Sequence, residues 1–423
     1  MSGRETAAER RLRLVDTHGY NGLALLTLYD GWRYFEPDDI DGFVAFELHR
    51  KTAVACGDPV CAESDAPELM RRFAEHCASR GWRFSFIGAS ARTGKLASEL
   101  GFRAVKVGEE PFFDLGSHSL SGKAAKKARS AINLARRTGV TVEEYTRPSP
   151  AIDTEIQEIA NDWLEHRDAP PMGFILRSRP FAQRSRKRTF VATHEGRVVA
   201  AMTCSPAPAR GLLYVEEQLR RHDAPYGTSE MLVEQARLVA KEQGFALLSL
   251  GTAPLQGATQ QPYGRHRAMK LLFGVLSSKL NFAYNVRSLN HFKKKFAPTF
   301  WEDNFFIYGG GALLPAFATI AAFAPDGLPS LLLPKRMQWL RFVPAAALWT
   351  GAVAGVVATG FTAWAFPEVI DPLRLGLHAT VLALRPADFA FDAGRTAAAA
   401  HRLISLFVVL GAGAAAWQRR ARA

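Results

Sequence analysis

Cysteine is scarce in this chain: Cys56, Cys61, Cys77 and Cys204 are the four, and they form neither a CxxC pair nor a zinc-ligand spacing, with no histidine cluster beside them. That leaves no metal signature and predicts buried or free reduced thiols. An apolar leader is also missing. The N-terminus MSGRETAAERRLRLV is charged throughout, which predicts that the first part of the chain stays in the cytoplasm. No Gly-x-Ser-x-Gly elbow occurs, so nothing points to a covalent serine ester. Acid is in deficit, with 40 Asp and Glu against 53 Lys and Arg and a net charge of +13. Such a field suits a polyanionic partner: RNA, an anionic lipid surface, or both.

At 423 residues the chain exceeds one ordinary core and fits two compact units plus an appendage. Its composition breaks near residue 310, where mixed charged and apolar sequence gives way to Ala, Gly, Leu, Val and Phe. Residues 344–366, PAAALWTGAVAGVVATGFTAWAF, carry no charge and match the roughly 20 residues a helix needs to cross a hydrocarbon core. Residues 401–417 hold a shorter apolar segment, closed by Gln418-Arg419-Arg420-Ala421-Arg422. Lys335, Arg336 and Arg341 before the first segment and the Arg run after the second predict a membrane hairpin with both outer ends in the cytoplasm and residues 367–400 outside. The other reading is a hydrophobic helical pair packed on the soluble body. Residues 311–343 read as a surface helix and linker, interrupted by Pro325-Asp326-Gly327 and Pro329.

The part before the break reads as α/β. Residues 43–60 alternate as strands, residues 66–80 form an amphipathic helix closed by Gly81, and residues 82–88 form another strand. The order then returns: a hairpin over residues 189–205 turning at His194-Glu195-Gly196, a strand at 211–217, a helix at 228–243 ended by Gly244, and a strand at 245–250. This predicts two α/β units on one plan, residues 1–145 and 146–310, each a curved mixed sheet with helices across it, as in the N-acetyltransferase (GNAT) fold. A strongly basic helix, residues 121–138, connects them. Acyl-CoA transferases of that fold cradle pyrophosphate on an Arg/Gln-x-x-Gly-x-Gly/Ala loop at a helix N-terminus. Arg220 to Gly227 holds one glycine and a proline there, so the sequence weakens the case for CoA.

Motifs then accumulate in order: Gly57-Asp58-Pro59-Val60; Leu100-Gly101-Phe102-Arg103 followed by Lys106-Val107-Gly108-Glu109-Glu110; Gly122-Lys123 with Lys126, Arg129 and Asn133; Glu216-Glu217 with Arg220, Ala224-Pro225 and Gly227-Thr228-Ser229-Glu230; Leu250 to Gly257; and Tyr284-Asn285 leading to Phe292-Lys293-Lys294-Lys295-Phe296-Ala297-Pro298 and Trp301-Glu302. In this run the chain resembles the catalytic domain of phosphatidylglycerol lysyltransferases, also called lysylphosphatidylglycerol synthases, from about Gly57 to Tyr308. Three positions depart from the family pattern: Tyr226 where Asn usually precedes the glycine, Leu134 where an Arg follows Asn133, and Asn304 where an Arg follows Trp-Glu. The resemblance implies two fused GNAT-like domains that take an aminoacyl group from aminoacyl-tRNA, the co-substrate, and place it on a lipid hydroxyl at the cytoplasmic leaflet of the inner membrane. It implies no metal and no separate cofactor.

Ester-to-ester transfer is nearly balanced, so the protein must position two substrates and stabilise a tetrahedral oxyanion, and direct attack by the acceptor hydroxyl suffices. Glu216 and Glu217 end a predicted strand whose pleat sends neighbours to opposite faces, so one faces the cleft, to bind an ammonium or remove a proton. The bland reading makes both solvated charges beside Arg220 and Arg221. Glu230 falls in the first turn of a helix, where a negative charge is favourable anyway. Lys126, Arg129 and Asn133, three or four apart, share one helix face that is either a solvated stripe or a track for RNA or lipid phosphate. Arg265 to Lys270 is a second basic cluster. Lys293 and Lys295, two apart on an expected strand, face one side toward a substrate phosphate. The candidate site is thus Glu216 and Glu217 for catalysis, with Lys126, Arg129, Asn133, Arg220, Glu230, Lys293 and Lys295 for substrate. Two rival readings stay open, an acyl-CoA-dependent N-acyltransferase acting on a membrane amine and a non-catalytic basic module bridging RNA and membrane.

Overall fold

A computed structural model describes residues 5–165, 174–264, 286–310 and 313–323. The expected membrane hairpin (344–366, 367–400, 401–417) and the basic cluster at 265–270 lie outside the described residues. No described helix is long and apolar enough to cross a membrane.

Residues 1–335 make one compact unit whose strands join in one mixed sheet. The first half supplies β1 (Arg33–Phe35), β2 (Gly42–His49), β3 (Thr52–Cys56), β4 (Val60–Cys61), β5 (Arg83–Ala89) and β6 (Arg103–Asp114). The second supplies β7 (Thr141–Glu144), β8 (Arg188–His194), β9 (Arg197–Ala207), β10 (Leu212–Arg220), β11 (Leu247–Ser249) and β12 (Ala253–Pro254). The last strand, β13 (Phe300–Tyr308), returns to the first half and fills the space between β5 and β6, giving the order β1-β2-β3-β5-β13-β6-β11-β10-β9-β8-β7. Two separate sheets divided near residue 146 are therefore not what forms. β6 pairs with β11 through Phe112–Ser249 and Phe113–Leu248, so one ladder runs across both halves.

Helices cover the sheet because each hides an apolar stripe. On the first half, α2 (Ala66–Ser79) and α3 (Ala91–Glu99) bury Leu69, Phe73 and Ala97 against Phe46, Phe86, Phe305 and Ile307. The opposite face, carrying Val105, Phe306 and Tyr308, is covered by α8 (Leu313–Ala322). In the second half α4 (Lys126–Arg137) and α6 (Thr228–Glu242) pack on Phe190, Met202 and Leu213, and α5 (Pro150–Glu165) lies on the other face with Ile156 and Ile159 against Val191 and Leu219. The four cysteines are free and buried.

Gly227 fixes how closely α6 approaches α4. It caps α6 with φ +93°, and a Cβ there would sit 2.0 Å from the Ala131 carbonyl oxygen. Both the backbone conformation and the helix spacing need glycine. Gly227→Ala is expected to cost about 2–3 kcal/mol, from overpacking plus the left-handed backbone. An unchanged urea midpoint would show that the two helices can part without penalty.

Candidate functional site

Residues 286–294 form a helix, α7 (Val286–Lys294), where a strand is expected around Lys293 and Lys295. The reason is the period: Phe292 and Phe296, four apart, pack into the core of the second half, and three consecutive lysines offer a strand no apolar alternation. The two lysines consequently diverge. Lys293 turns into the interior, donating from Nζ to the Gly251 carbonyl at 2.8 Å and the Thr252 carbonyl at 2.6 Å. Lys295 pairs with buried Glu230, with its Nζ 4.1 Å from the Phe292 ring centre. Glu230 does lie in the first turn of α6, yet it serves this ion pair in the interior.

Burial brings the Lys293 ammonium down to about 7, with Glu110 pulling the other way. Glu110 is itself pushed up by burial and accepts from the Ser249 hydroxyl. Because folded Lys293 binds its proton less readily than the unfolded side chain, with its ordinary value of 10.5, stability is expected to rise between about pH 7 and 10.5. Lys293→Met should flatten that rise in denaturant midpoints taken across the window.

The densest polar cluster forms around Glu216 and Glu217, and a bulge creates it. Val215 pairs with Cys204 and Glu217 with Thr203, so β10 carries one extra residue, Glu216, against β9. The pleat rule that would send the two carboxylates to opposite faces fails here, since the bulge re-aims one of them. Glu216 accepts from Tyr29 Oη at 2.7 Å, from Lys187 Nζ at 2.7 Å and from the Ser205 hydroxyl. The Lys187 side chain is fully buried, and its Nζ also lies 4.8 Å from the Tyr29 ring centre. Burial, and then the Glu216 charge, push the Tyr29 phenol well above its ordinary range, so it stays a donor.

Glu217 is the opposite case. Its Oε2 is buried and accepts no hydrogen bond among the described residues. Burial pushes its carboxyl up to about 7, and the Glu216 charge adds to the rise, while Ser178, Lys187 and the Arg179 backbone oppose it. The Thr203 hydroxyl, on the strand position paired with Glu217, is likewise buried without a partner among the described residues. Buried polar atoms are nearly always satisfied, so two orphans on paired strand positions mark a place where polar ligand atoms belong. Beside Tyr29 a depression lined by Leu26, Trp32, Phe174, Ile175, Arg177 and Arg179 adjoins this cluster.

Other predicted residues lie apart from it. Lys126 and Asn133 are on the exposed face of α4, where Asn133 Oδ1 accepts from Arg136 at 3.3 Å. Arg129 folds back to donate to the carbonyls of Leu120 and Gly122, and so steadies the loop before its own helix. Arg220 is exposed at the end of β10, with a 3.4 Å bond to the Ala224 carbonyl. None of these four shares a hydrogen bond or ion pair with the Glu216 cluster among the described residues. Tyr29, Lys187, Ser205, Ser178 and Thr203 carried no sequence signal, because they are single polar residues brought together over long separations.

The chain matches the family described as phosphatidylglycerol lysyltransferase, C-terminal, over residues 12–308. It is 25% identical to the Bacillus subtilis (strain 168) phosphatidylglycerol lysyltransferase over 315 residues, 72% of this chain and 35% of the relative. A Staphylococcus aureus (strain MRSA252) phosphatidylglycerol lysyltransferase is 26% identical over 300 residues, again 35% of its length. The chain thus spans about a third of the length of these curated relatives. Among solved structures, a C-terminal domain (DUF2156) from Agrobacterium fabrum superposes with TM-score 0.64 at 23% identity, covering 75% of this chain and 96% of that one. L-PGS from Bacillus licheniformis gives 0.63 at 24% identity, covering 76% and 97%. These two likenesses establish the mixed α/β fold.

Proposed function

The chain belongs to the phosphatidylglycerol lysyltransferase C-terminal family, and from that premise we propose that it moves an aminoacyl group from aminoacyl-tRNA to the hydroxyl of a phosphatidylglycerol-like lipid at the cytoplasmic membrane. The two halves of the sheet are read as two acetyltransferase-like units, and residues 344–366 and 401–417 as the membrane hairpin that tethers them. The observation that supports this reading best is the buried Glu217 Oε2, without a hydrogen-bond partner among the described residues, beside a fully satisfied Glu216.

In the proposed reaction Glu217, ionised, takes the proton of the lipid hydroxyl as its oxygen attacks the ester carbonyl. The bond from that carbonyl to the ribose oxygen of tRNA breaks, and the same proton passes to the departing ribose hydroxyl. A carboxyl at about 7 suits both directions of that transfer near neutral pH. Glu216 is a positioning residue, held by three donors and in turn fixing Tyr29 and Lys187 around the reacting groups. The Thr203 hydroxyl, buried without a partner among the described residues, and the Ser178 hydroxyl beside Glu217 suit the α-ammonium and ester oxygens of the aminoacyl group. The exposed basic residues Lys126, Lys127, Arg136 and Arg137 of α4, with Lys123 in the turn before it, suit RNA phosphates.

The test is transfer itself: the full chain in phosphatidylglycerol vesicles, supplied in turn with tRNA pools charged with each labelled amino acid. Label is expected in lipid, sensitive to ribonuclease and independent of added CoA. Absence of lipid label with every amino acid would sink the reading. Label that requires acyl-CoA would replace it with the N-acyltransferase alternative.

A further inference from the structure

α8 is apolar on both sides. Its inner face buries Ala316 and Ala322 against the sheet and sets Thr319 Oγ1 2.9 Å from the Ser85 hydroxyl. Its outer face leaves Leu314 41% and Phe317 44% exposed. Few large apolar side chains are that exposed among the described residues, and two lie one turn apart here.

The sheet edge where α8 begins is basic. The β2–β3 turn carries exposed Arg50 and Lys51, and register places Thr52 opposite Arg83 at the start of β5. Tyr308, at the end of β13, pairs with Ser85 on one side and Arg103 on the other. The period of two puts Arg83 and Arg103 on the same face as Ser85 and Val105, which is the face that α8 covers. Glu47 on that face is already bonded to His49 at 2.9 Å. At its other end α8 delivers Phe323 to Phe174, ring centres 5.5 Å apart, and Phe174 lines the depression beside Tyr29.

We propose that this face, with Leu314 and Phe317 flanked by Lys51, Arg83 and Arg103, docks on an anionic lipid bilayer, so that α8 lies along the surface and its far end brings acceptor headgroups to the Tyr29 depression. The apolar residues enter the acyl boundary and the cations meet lipid phosphates, the arrangement by which interfacial helices bind membranes. The chain after Phe323 supports a bilayer over a protein partner, since within it residues 344–366 carry no charge. The proposal deepens the lipid-acceptor reading above, but its evidence is the surface itself.

The experiment places a fluorophore at Phe317→Cys in the full chain, where the four native cysteines are buried, and uses Lys95→Cys on the opposite face of the sheet as control. In vesicles of phosphatidylglycerol and phosphatidylcholine, brominated acyl chains are expected to quench the label at 317 at least about threefold more than that at 95. Reversing Lys51, Arg83 and Arg103 to Glu should weaken that quenching by about a hundredfold or more in lipid concentration, the summed loss of three cations at a charged surface. Equal quenching at the two positions overturns the proposal. So does a spectral shift at 317 that appears without lipid, which would assign the face to a second copy or to residues 344–366. Because no aminoacyl donor is present, a failure of transfer and a failure of docking are read separately.

Discussion

Glu217→Gln is expected to lower kcat by about 10²–10⁴-fold while leaving the affinity for aminoacyl-tRNA within about twofold, the signature of lost proton transfer with retained binding. The same variant should change the shape of the pH profile. Wild-type kcat/KM should rise with pH and level off above about 7 as the Glu217 carboxyl loses its proton, and the residual activity of the glutamine variant should lack that step. Stability gives a second, independent reading. A carboxyl raised from 4.5 to about 7 by folding holds its proton more tightly in the native state, so stability falls as pH rises across that window. The glutamine variant should not show that fall. A variant with wild-type kcat, or an unaltered pH step, would remove Glu217 from the chemistry and leave its burial without a purpose in catalysis.

Lys187→Met is expected to be the most destabilising single change near the site. Lys187 has no exposed side-chain surface, and its partner Glu216 would keep a buried charge with only two hydroxyl donors, Tyr29 and Ser205. Stranding a charge in this way costs about 3–5 kcal/mol, whereas replacing both partners by neutral groups is often near neutral. The double variant Lys187→Met/Glu216→Gln should therefore recover most of the lost urea midpoint. Additive losses in that cycle would mean that the two side chains are not energetically coupled, whatever their 2.7 Å separation.

The two residues differ in how far the sequence exposes them. Glu216-Glu217 stands in a motif and at a strand end, so it is legible as a candidate, but the bulge that sets both carboxylates on one side is not. A bulge is a matter of pairing, and β9 lies in sequence beyond a turn whose register no local pattern dictates. Lys187 and Tyr29 are illegible for a stronger reason: they meet Glu216 over separations of 29 and 187 residues. Local signals were reliable where punctuation was strong. The turn at His194-Glu195-Gly196 and the stops at Gly81 and Gly244 place β8, β9, α2 and α6 within a few residues of expectation. Around Lys293 the punctuation was weak, and the helix won through Phe292 and Phe296, whose shared burial only the folded second half supplies.

The position of β13 between β5 and β6 has a bearing on synthesis at the ribosome. Residues 83–114 can emerge early, yet their two long strands have no neighbour to join them until Phe300–Tyr308 has left the exit tunnel. During that interval the facing edges of β5 and β6 are unpaired templates, which is the condition under which nascent chains mispair or aggregate. Closure over so long a stretch of chain is also slow. Completion of the first half's sheet thereby waits until residue 308 has been made, and a nascent chain stalled before residue 300 should still bind holdase chaperones that the finished unit releases.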